Sequence, residues 1–365
     1  MAFSCSFFIV GTVLISLLGS CSLTNAAKPS CIGDSGNKVD WFIAYKLPHK
    51  ISNPLKDGYG YLYMDSNSAG FSVSKYSAKE EQSAMGSTLS PAYESKSDIE
   101  SSGDLAYVMY NDENPEGKEF FDYGHSKGDL AFTKDGGFWL VHSVPKYSNN
   151  ADEGYDYPHS GTYYGQIFFC VNFNASEIDK IGQQLRFNGP HIHDFNLPPS
   201  LAQMFPNISL LVNNKFILEE PYNMSAKLVS SAGKKLIHFA KNKNFGNDLY
   251  GAFVAPSLKT SMLAETWQQG SGKTGSWCKP PYTVENILRI DIETDTDEFE
   301  FVNYEDHSKY VLSKSGDDPV VCIGDINRME TQYKRGGGTL CTRDSHIWTV
   351  FKKLVKQVDS CNNLP

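Results

Sequence analysis

No two cysteines of this 365-residue sequence stand as a Cys-x-x-Cys pair, which removes the usual spacing of a structural zinc site. A basic surplus is missing as well. The chain has 33 Lys and Arg against 42 Asp and Glu, a formal net charge of −9 with neutral histidines. That balance excludes the plain electrostatic footprint of a non-specific nucleic-acid binder at pH 7. The nine histidines limit this exclusion, because protonating all of them brings the sum to zero, and stronger acid starts to neutralise carboxylates. A polyanion is therefore better tolerated in acid. There is no low-complexity linker, and beyond the N-terminus no apolar run approaches the roughly 20 residues of a membrane-spanning helix.

The N-terminus, "MAFSCSFFIVGTVLISLLGSCSLTNAAKP", has an apolar run from Phe7 to Gly19 that is short for a span. Thr24 and Ala26 put small residues where a signal peptidase reads them, so residues 1–26 read as a signal peptide. The expectation is a secretory-pathway protein without a membrane span, lysosomal or extracellular. Behind the signal segment stand Cys31, Cys170, Cys278, Cys322, Cys341 and Cys361, an even set suited to three disulfides in an oxidising compartment. Their spacing leaves the connectivity open. The sequons at Asn174, Asn207 and Asn223 predict surface glycosylation.

Aromatic and β-branched residues recur in short runs: "VDWFIAYKL", "YGYLYMDS", "LAYVMYND", "GFWLVHSV", "GQIFFCVNF", "KKLIHFA", "ILRIDIE" and "VVCIGDI". These predict strands, and the Asp-Gly of "TKDGGF" predicts a hairpin. "SEIDKIGQQL" predicts a helix with a capping box from Ser176 to Asp179. "SHIWTVFKKLVKQV" aligns Ile347, Val350, Phe351, Leu354 and Val358 on one helical face, and "NDLYGAFVA" predicts a shorter helix. The fold class is mixed α/β, with a soft division that gives 27–195 and 196–365 as two halves.

"GHSKG" carries His125 and Lys127, and "DHSKY" carries His307 and Lys309, at an offset of 182 residues. At that offset Leu130 meets Leu312, Asp135 meets Asp317, and "FWLV" falls on "VVCI". Each copy predicts His-x-Lys on a strand, a turn, then a buried strand, as in two related half-domains. Residues two apart in a strand point to one side, so two such halves packed about a pseudo-twofold axis bring two imidazoles and two ammonium groups together. That set suits phosphodiester cleavage. One imidazole attacks phosphorus, the other protonates the leaving oxygen, and the lysines neutralise non-bridging oxygens. No metal or cofactor is required.

The paired triplets resemble the phospholipase D superfamily, and the chain from "VDWFIAYKLP" through "AYVMYND", "GHSKG", "EGYDYP", "HFAK", "ETWQ", "DHSK" and "CIGDINR" to "GGGTLCT" resembles deoxyribonuclease II. The resemblance implies a phospholipase D-like αβ fold of two pseudo-twofold-related halves sharing one site. It also implies an acid, metal-independent endonuclease that acts on DNA and leaves 3′-phosphate and 5′-hydroxyl ends. It gives His125, Lys127, His307 and Lys309 as catalytic, with His125 leaning to nucleophile and His307 to general acid. Gly324-Asp325-Ile326-Asn327 stands where the superfamily has Gly-Ser-x-Asn, making Asn327 and Asp325 supporting candidates, and His142 and Ser143 take that place in the first copy. The superfamily's aspartate five residues after each lysine is missing, since Phe132 and Lys314 stand there. The disulfides implied are Cys31–Cys170, Cys278–Cys361 and Cys322–Cys341. An RNA or lipid phosphodiesterase, or a silent binding protein or toxin on the same fold, are the alternatives. "HIHD" (His191 to Asp194) offers two metal ligands without a third, His238 reads as packed in a strand, and "KRGGG" reads as a loop.

Overall fold

The computed structural model describes residues 28–51, 56–97 and 105–363. The signal segment lies outside them. Eight strands form the first sheet: β1 (Trp41–Lys46), β2 (Gly60–Asp65), β3 (Ser72–Ser77), β4 (Ala106–Tyr110), β5 (Gly128–Thr133), β6 (Gly136–His142), β7 (Gln166–Asn174) and β8 (Ile192–Asn196). The second sheet holds β9 (Asn223–Val229), β10 (Lys235–Lys241), β11 (Met262–Thr266), β12 (Val284–Glu293), β13 (Glu298–Val302), β14 (Lys309–Ser313), β15 (Val320–Gly324), β16 (Gly337–Arg343) and β17 (Val355–Asp359).

The spatial order is β3-β2-β1-β7-β6-β5-β4-β8 in the first sheet and β9-β10-β16-β15-β14-β11-β12-β13 in the second, with β17 on β12. Five central strands thus repeat: β1-β7-β6-β5-β4 answers to β10-β16-β15-β14-β11. The offset of the His-x-Lys copies sets β5 on β14 and β6 on β15, and a two-residue Lys134–Asp135 loop joins β5 to β6. Strands such as β1, β5, β6, β14 and β15 are buried along their whole length, because both faces of each sheet are covered.

One apolar core between the sheets unites Trp41, Ile43, Phe132 and Trp139 of the first half with Leu263, Tyr310, Leu312 and Val321 of the second. It also takes in the helix Ala175–Asn188, through Ile178, Ile181 and Leu185, and the helix Ser345–Lys353, through Ile347 and Phe351. A second core beneath the helix Ala84–Ser97 covers the outer face of the first sheet, and a third beneath Leu249 to Leu258 covers that of the second. The layers alternate helix, sheet, helix, sheet, helix.

Two helix expectations are corrected. The helix of Ile178 starts at Ala175, and its N-cap Asn174 makes no side-chain cap bond. Asp179 accepts instead from the backbone N–H and Nδ2 of Asn207, both at 2.7 Å, so a tertiary partner takes the carboxylate from the capping box. The C-terminal helix stops at Lys353, and Val358 lies in β17. Only three residues of β12 pair with β11, which leaves backbone groups further along that edge for β17 to satisfy.

Three disulfides form, Cys31–Cys170, Cys278–Cys361 and Cys322–Cys341, the pairs implied by the resemblance. Cys322 and Cys341 are register partners on β15 and β16. Closing their 19-residue separation contributes about 3 kcal/mol in the chain-entropy account. The double variant Cys322→Ala/Cys341→Ala should unfold at correspondingly lower denaturant. An unchanged midpoint would show that the strand pairing already restrains this loop.

Candidate active site

Both His-Ser pairs lie just before a strand. The chain enters β5 at Gly128, after Lys127, and enters β14 at Lys309. The expectation of His-x-Lys within a strand is corrected by one or two residues, and the physical reason is visible in the backbone. The N–H of His125 donates to Gly336 O and that of His307 to Gly165 O, each at 2.8 Å. Gly336 immediately precedes β16 and Gly165 immediately precedes β7, the corresponding strands of the opposite halves. Each histidine therefore leaves its own sheet to bond the other half.

The rings repeat this crossing. His125 Nδ1 lies 2.5 Å from the main-chain oxygen of Asp325, and His307 Nδ1 lies 2.9 Å from that of Ser143 and 3.2 Å from Gln166 Oε1. Asp325 and Ser143 are equivalent at the 182-residue offset. Carbonyl oxygens only accept, so Nδ1 carries the proton of each neutral ring and Nε2 presents a lone pair. Gln166 is itself fixed by Ser143, whose hydroxyl donates to Oε1 at 2.6 Å. Both imidazoles are almost fully buried. Burial, then the Lys127 ammonium, lowers His125 well below its ordinary range, with Asp112 partly opposing. Burial, then Lys309, does the same to His307.

The cations are held differently in the two halves. Lys127 Nζ donates to Asp112 Oδ1, and Arg335 Nη1, from the opposite half, donates to Asp112 Oδ2 at 2.9 Å. Asp112 Oδ2 is 4.0 Å from His125 Nε2. Burial pushes the Asp112 carboxyl up, but Lys127, His125 and Arg335 outweigh it and hold the group well below the usual carboxylate range. Lys309 Nζ donates to its own chain at His307 O, 2.6 Å away, and sits 3.0 Å from His307 Nδ1. Burial, then Lys127, lowers Lys309. The position equivalent to Asp112, two residues beyond the Glu265 that pairs with Tyr310, is Trp267. Its ring stands 4.8 Å from that of His307. Asp112, Arg335, Gln166 and Trp267 had no motif to announce them. Asp112 and Trp267 fall inside the resembling stretches "AYVMYND" and "ETWQ", whereas Arg335 sits in the segment read as a loop.

The supporting candidates separate. Asp325 and Ser143 meet the imidazoles through their carbonyls, and the Asp325 carboxylate accepts from Gly338 N at 2.8 Å. Burial raises that carboxyl to about 7. Asn327 is buried with Oδ1 unpartnered, at the end of the loop that carries Asp325. His142 is not brought to the site. It faces the outer core between Tyr147 and Phe168, accepts Val144 N at Nδ1, and points Nε2 at Asp129 Oδ2, 3.6 Å away.

"HIHD" lies largely on β8. His191 stacks on Phe120 at 3.5 Å and bonds Asn111 O, His193 Nε2 meets Ser148 O, and Asp194 accepts Ala151 N. His193 Nδ1 is buried without a partner, but among the described residues these side chains do not form a group of three metal-holding ligands. His238 is buried on β10, against Trp139 and Gln184 Oε1. Among the described residues one three-member acidic group could hold an ion, Asp291, Glu293 and Glu298, and it contains no site residue. Asn174 is exposed with Oδ1 accepting from Lys28 and Ser231. Asn223 is half-buried at the start of β9, and the half-buried Asn207 amide is held by Asp179 and Arg186.

Residues 30–361 match the family model described as Deoxyribonuclease II. The chain is 36% identical to Deoxyribonuclease-2-alpha of Mus musculus over 357 residues, covering 96% of this chain and 99% of that protein. It is 35% identical to Deoxyribonuclease-2-beta of Homo sapiens, covering 94% and 95%. Plancitoxin-1 of Acanthaster planci is 34% identical, with 97% of each chain covered.

Proposed function

The chain belongs to the deoxyribonuclease II family, with its phospholipase D-like fold, and is an acid endodeoxyribonuclease; from that premise we propose how it cuts DNA. His125, Lys127, His307 and Lys309 form the reacting set, and the products are 3′-phosphate and 5′-hydroxyl ends. One observation carries this reading: two imidazoles, each tied at Nδ1 to a carbonyl of the opposite half, each with Nε2 left for chemistry.

His125 Nε2 attacks phosphorus, the bond to O5′ breaks, and protonated His307 gives its proton to O5′. The 3′-phosphoryl group is then held on His125 as a phosphoramidate. Water attacks phosphorus, His307 takes a proton from it, and the P–N bond breaks to release the 3′-phosphate. Lys127 and Arg335, anchored on one carboxylate, flank His125 and suit the imidazole that carries the phosphoryl charge. Lysine and arginine supply the positive charge that a metal supplies elsewhere.

Acid dependence follows from the site. Attack needs one neutral imidazole and departure needs one protonated. Both are lowered below the ordinary 6.5, by burial first and then by the neighbouring lysine, so the singly protonated pair is populated in acid. Raising the pH removes the acid and activity falls, with apparent values that belong to the pair. Three disulfides and the absence, among the described residues, of a helix able to cross a membrane support action along the secretory route, in a lysosome or outside the cell. Glycans at Asn174 and Asn223 fit the same route.

The test is plasmid digestion at about pH 5 with excess chelator, followed by end-group analysis, with RNA and phospholipid run alongside. Cleavage that persists, with 3′-phosphate ends and a preference for DNA, is expected. Cleavage that vanishes and returns with magnesium or zinc, or 5′-phosphate ends, would overturn the reaction. Faster RNA or lipid hydrolysis would overturn the substrate.

A further inference from the structure

Two lysines at equivalent positions have no task in the reaction above. Lys46 ends β1 opposite Gln166, and Lys241 ends β10 opposite Gly337. Both are fully buried, and neither forms an ion pair among the described residues. Lys46 Nζ donates to Thr162 O at 2.8 Å and to Tyr164 O. Lys241 Nζ donates to Gln332 O at 2.8 Å, to Arg335 O, and to Tyr333 O at 3.4 Å. A buried ammonium that meets only carbonyls is costly to keep, and its donors, two at Lys46 and three at Lys241, are used to gather one short loop.

Those loops lead directly to the histidines. Tyr164 precedes Gly165, whose carbonyl accepts the His307 N–H, and Arg335 precedes Gly336, whose carbonyl accepts the His125 N–H. The approach is close on both sides. A Cβ at Gly165 would overlap Asp306 Oδ1, and one at Gly336 would overlap Asn188 O. Arg335, on the loop held by Lys241, also carries the guanidinium bound to Asp112.

We propose that Lys46 and Lys241 are paired positioning residues, each an ammonium clamp on the loop from which the opposite half's catalytic histidine hangs. The control is crossed: Lys46 of the first half sets His307, and Lys241 of the second half sets His125. The idea rests on the two-histidine reading for its effect on rate, but not for its effect on structure.

Burial lowers Lys241 to about 7, with Asp248 and Asp325 raising it and Arg335 lowering it. Burial lowers Lys46 as well, with Asp306 opposing. Below about pH 7 Lys241 is charged in the folded protein. An unfolded lysine binds its proton up to about 10.4, so folding gains as pH rises from about 7 towards that value. The charged clamp is thus maintained in acid at a cost to stability.

Lys46→Met and Lys241→Met, in the full disulfide-bonded chain, are the test, with kinetics and amide hydrogen exchange measured together. Since an error near 1 Å costs about 100-fold, kcat should drop by that order while KM moves less than about twofold. Exchange at the His307 amide should quicken in Lys46→Met and stay unchanged at His125, and Lys241→Met should do the opposite. Equal effects at both amides, no effect at either, or a loss of activity matching the unfolded fraction would overturn the clamp. The exchange pattern decides this even if the reaction assigned above is wrong. If the methionine variants fail to fold, the native protein serves: opening the clamped loop rehydrates Lys241 and restores its ordinary basicity, so protection at His125, corrected for intrinsic exchange, should rise as pH climbs above about 7. Flat protection through that range would overturn the proposal.

Discussion

Alanine at His307, or at His125, should lower cleavage of supercoiled plasmid in acid by about 1,000-fold or more, with folding and secretion intact. In the proposed reaction each imidazole carries a proton-transfer or nucleophilic role, and general acid–base help alone is worth about 100- to 10,000-fold. Residues that act as one unit lose most of their effect when either is removed, so the double variant should be scarcely worse than the single ones. Folding is spared for a physical reason. Each ring's hydrogen bond crosses to the other half, but the core between the sheets is built from many apolar side chains that do not involve it. The neutral buried rings also disfavour acid: their pKa values lie below the unfolded 6.5, so stability falls as pH drops through that window. The alanine variants should therefore lose less stability than the native protein between neutral pH and about pH 4. A properly folded single variant with near-native cleavage would rule out the shared two-histidine site.

Loss of Asp112 should be the most destabilising single change at the site. Its carboxylate is shared by Lys127 and Arg335, all three nearly buried, and Asp112→Ala leaves two cations without a counter-ion. Breaking a buried pair in this way costs about 3–5 kcal/mol. Activity should fall at least about 100-fold, since both cations beside His125 lose their anchor. Asp112→Asn keeps the shape and removes the charge, so its thermal midpoint separates packing from electrostatics. The carboxyl is held below its unfolded value near 3.9, mainly by Lys127, so its contribution is present above that value and fades only as pH falls further. The ion pair therefore persists through the acid range in which the enzyme works. An Asp112→Asn variant as stable and active as the native protein would show that the carboxylate is dispensable.

Much of the fold could be read from local pattern. Eight runs of aromatic and branched residues became strands, because such side chains fill a sheet covered on both faces. The errors came where distant partners intervened. Asp179 was taken from its capping box by Asn207, and Val355 to Asp359 left a helical pattern for the open edge of β12. The repeat of His-x-Lys pointed to the two histidines whose rings bond the opposite half, whereas His142, equally prominent in sequence, turned into the outer core with Tyr147 and Phe168.

The sequence by itself determined the chemical inventory: two His-x-Lys units in matched strand contexts, an even set of cysteines, and a charge balance that favours a polyanion only in acid. These are properties of residue type and spacing. The tertiary structure alone decided what each unit meets. Asp112 and Arg335 are 223 residues apart, His125 hangs from Gly336, and His307 hangs from Gly165. A contact between halves has no periodicity along the chain, because it depends on how two sheets pack and not on how either one forms. Only the strand pairing shows that Asp112 and Trp267 hold equivalent positions, so that a carboxylate stands beside His125 and an indole ring beside His307.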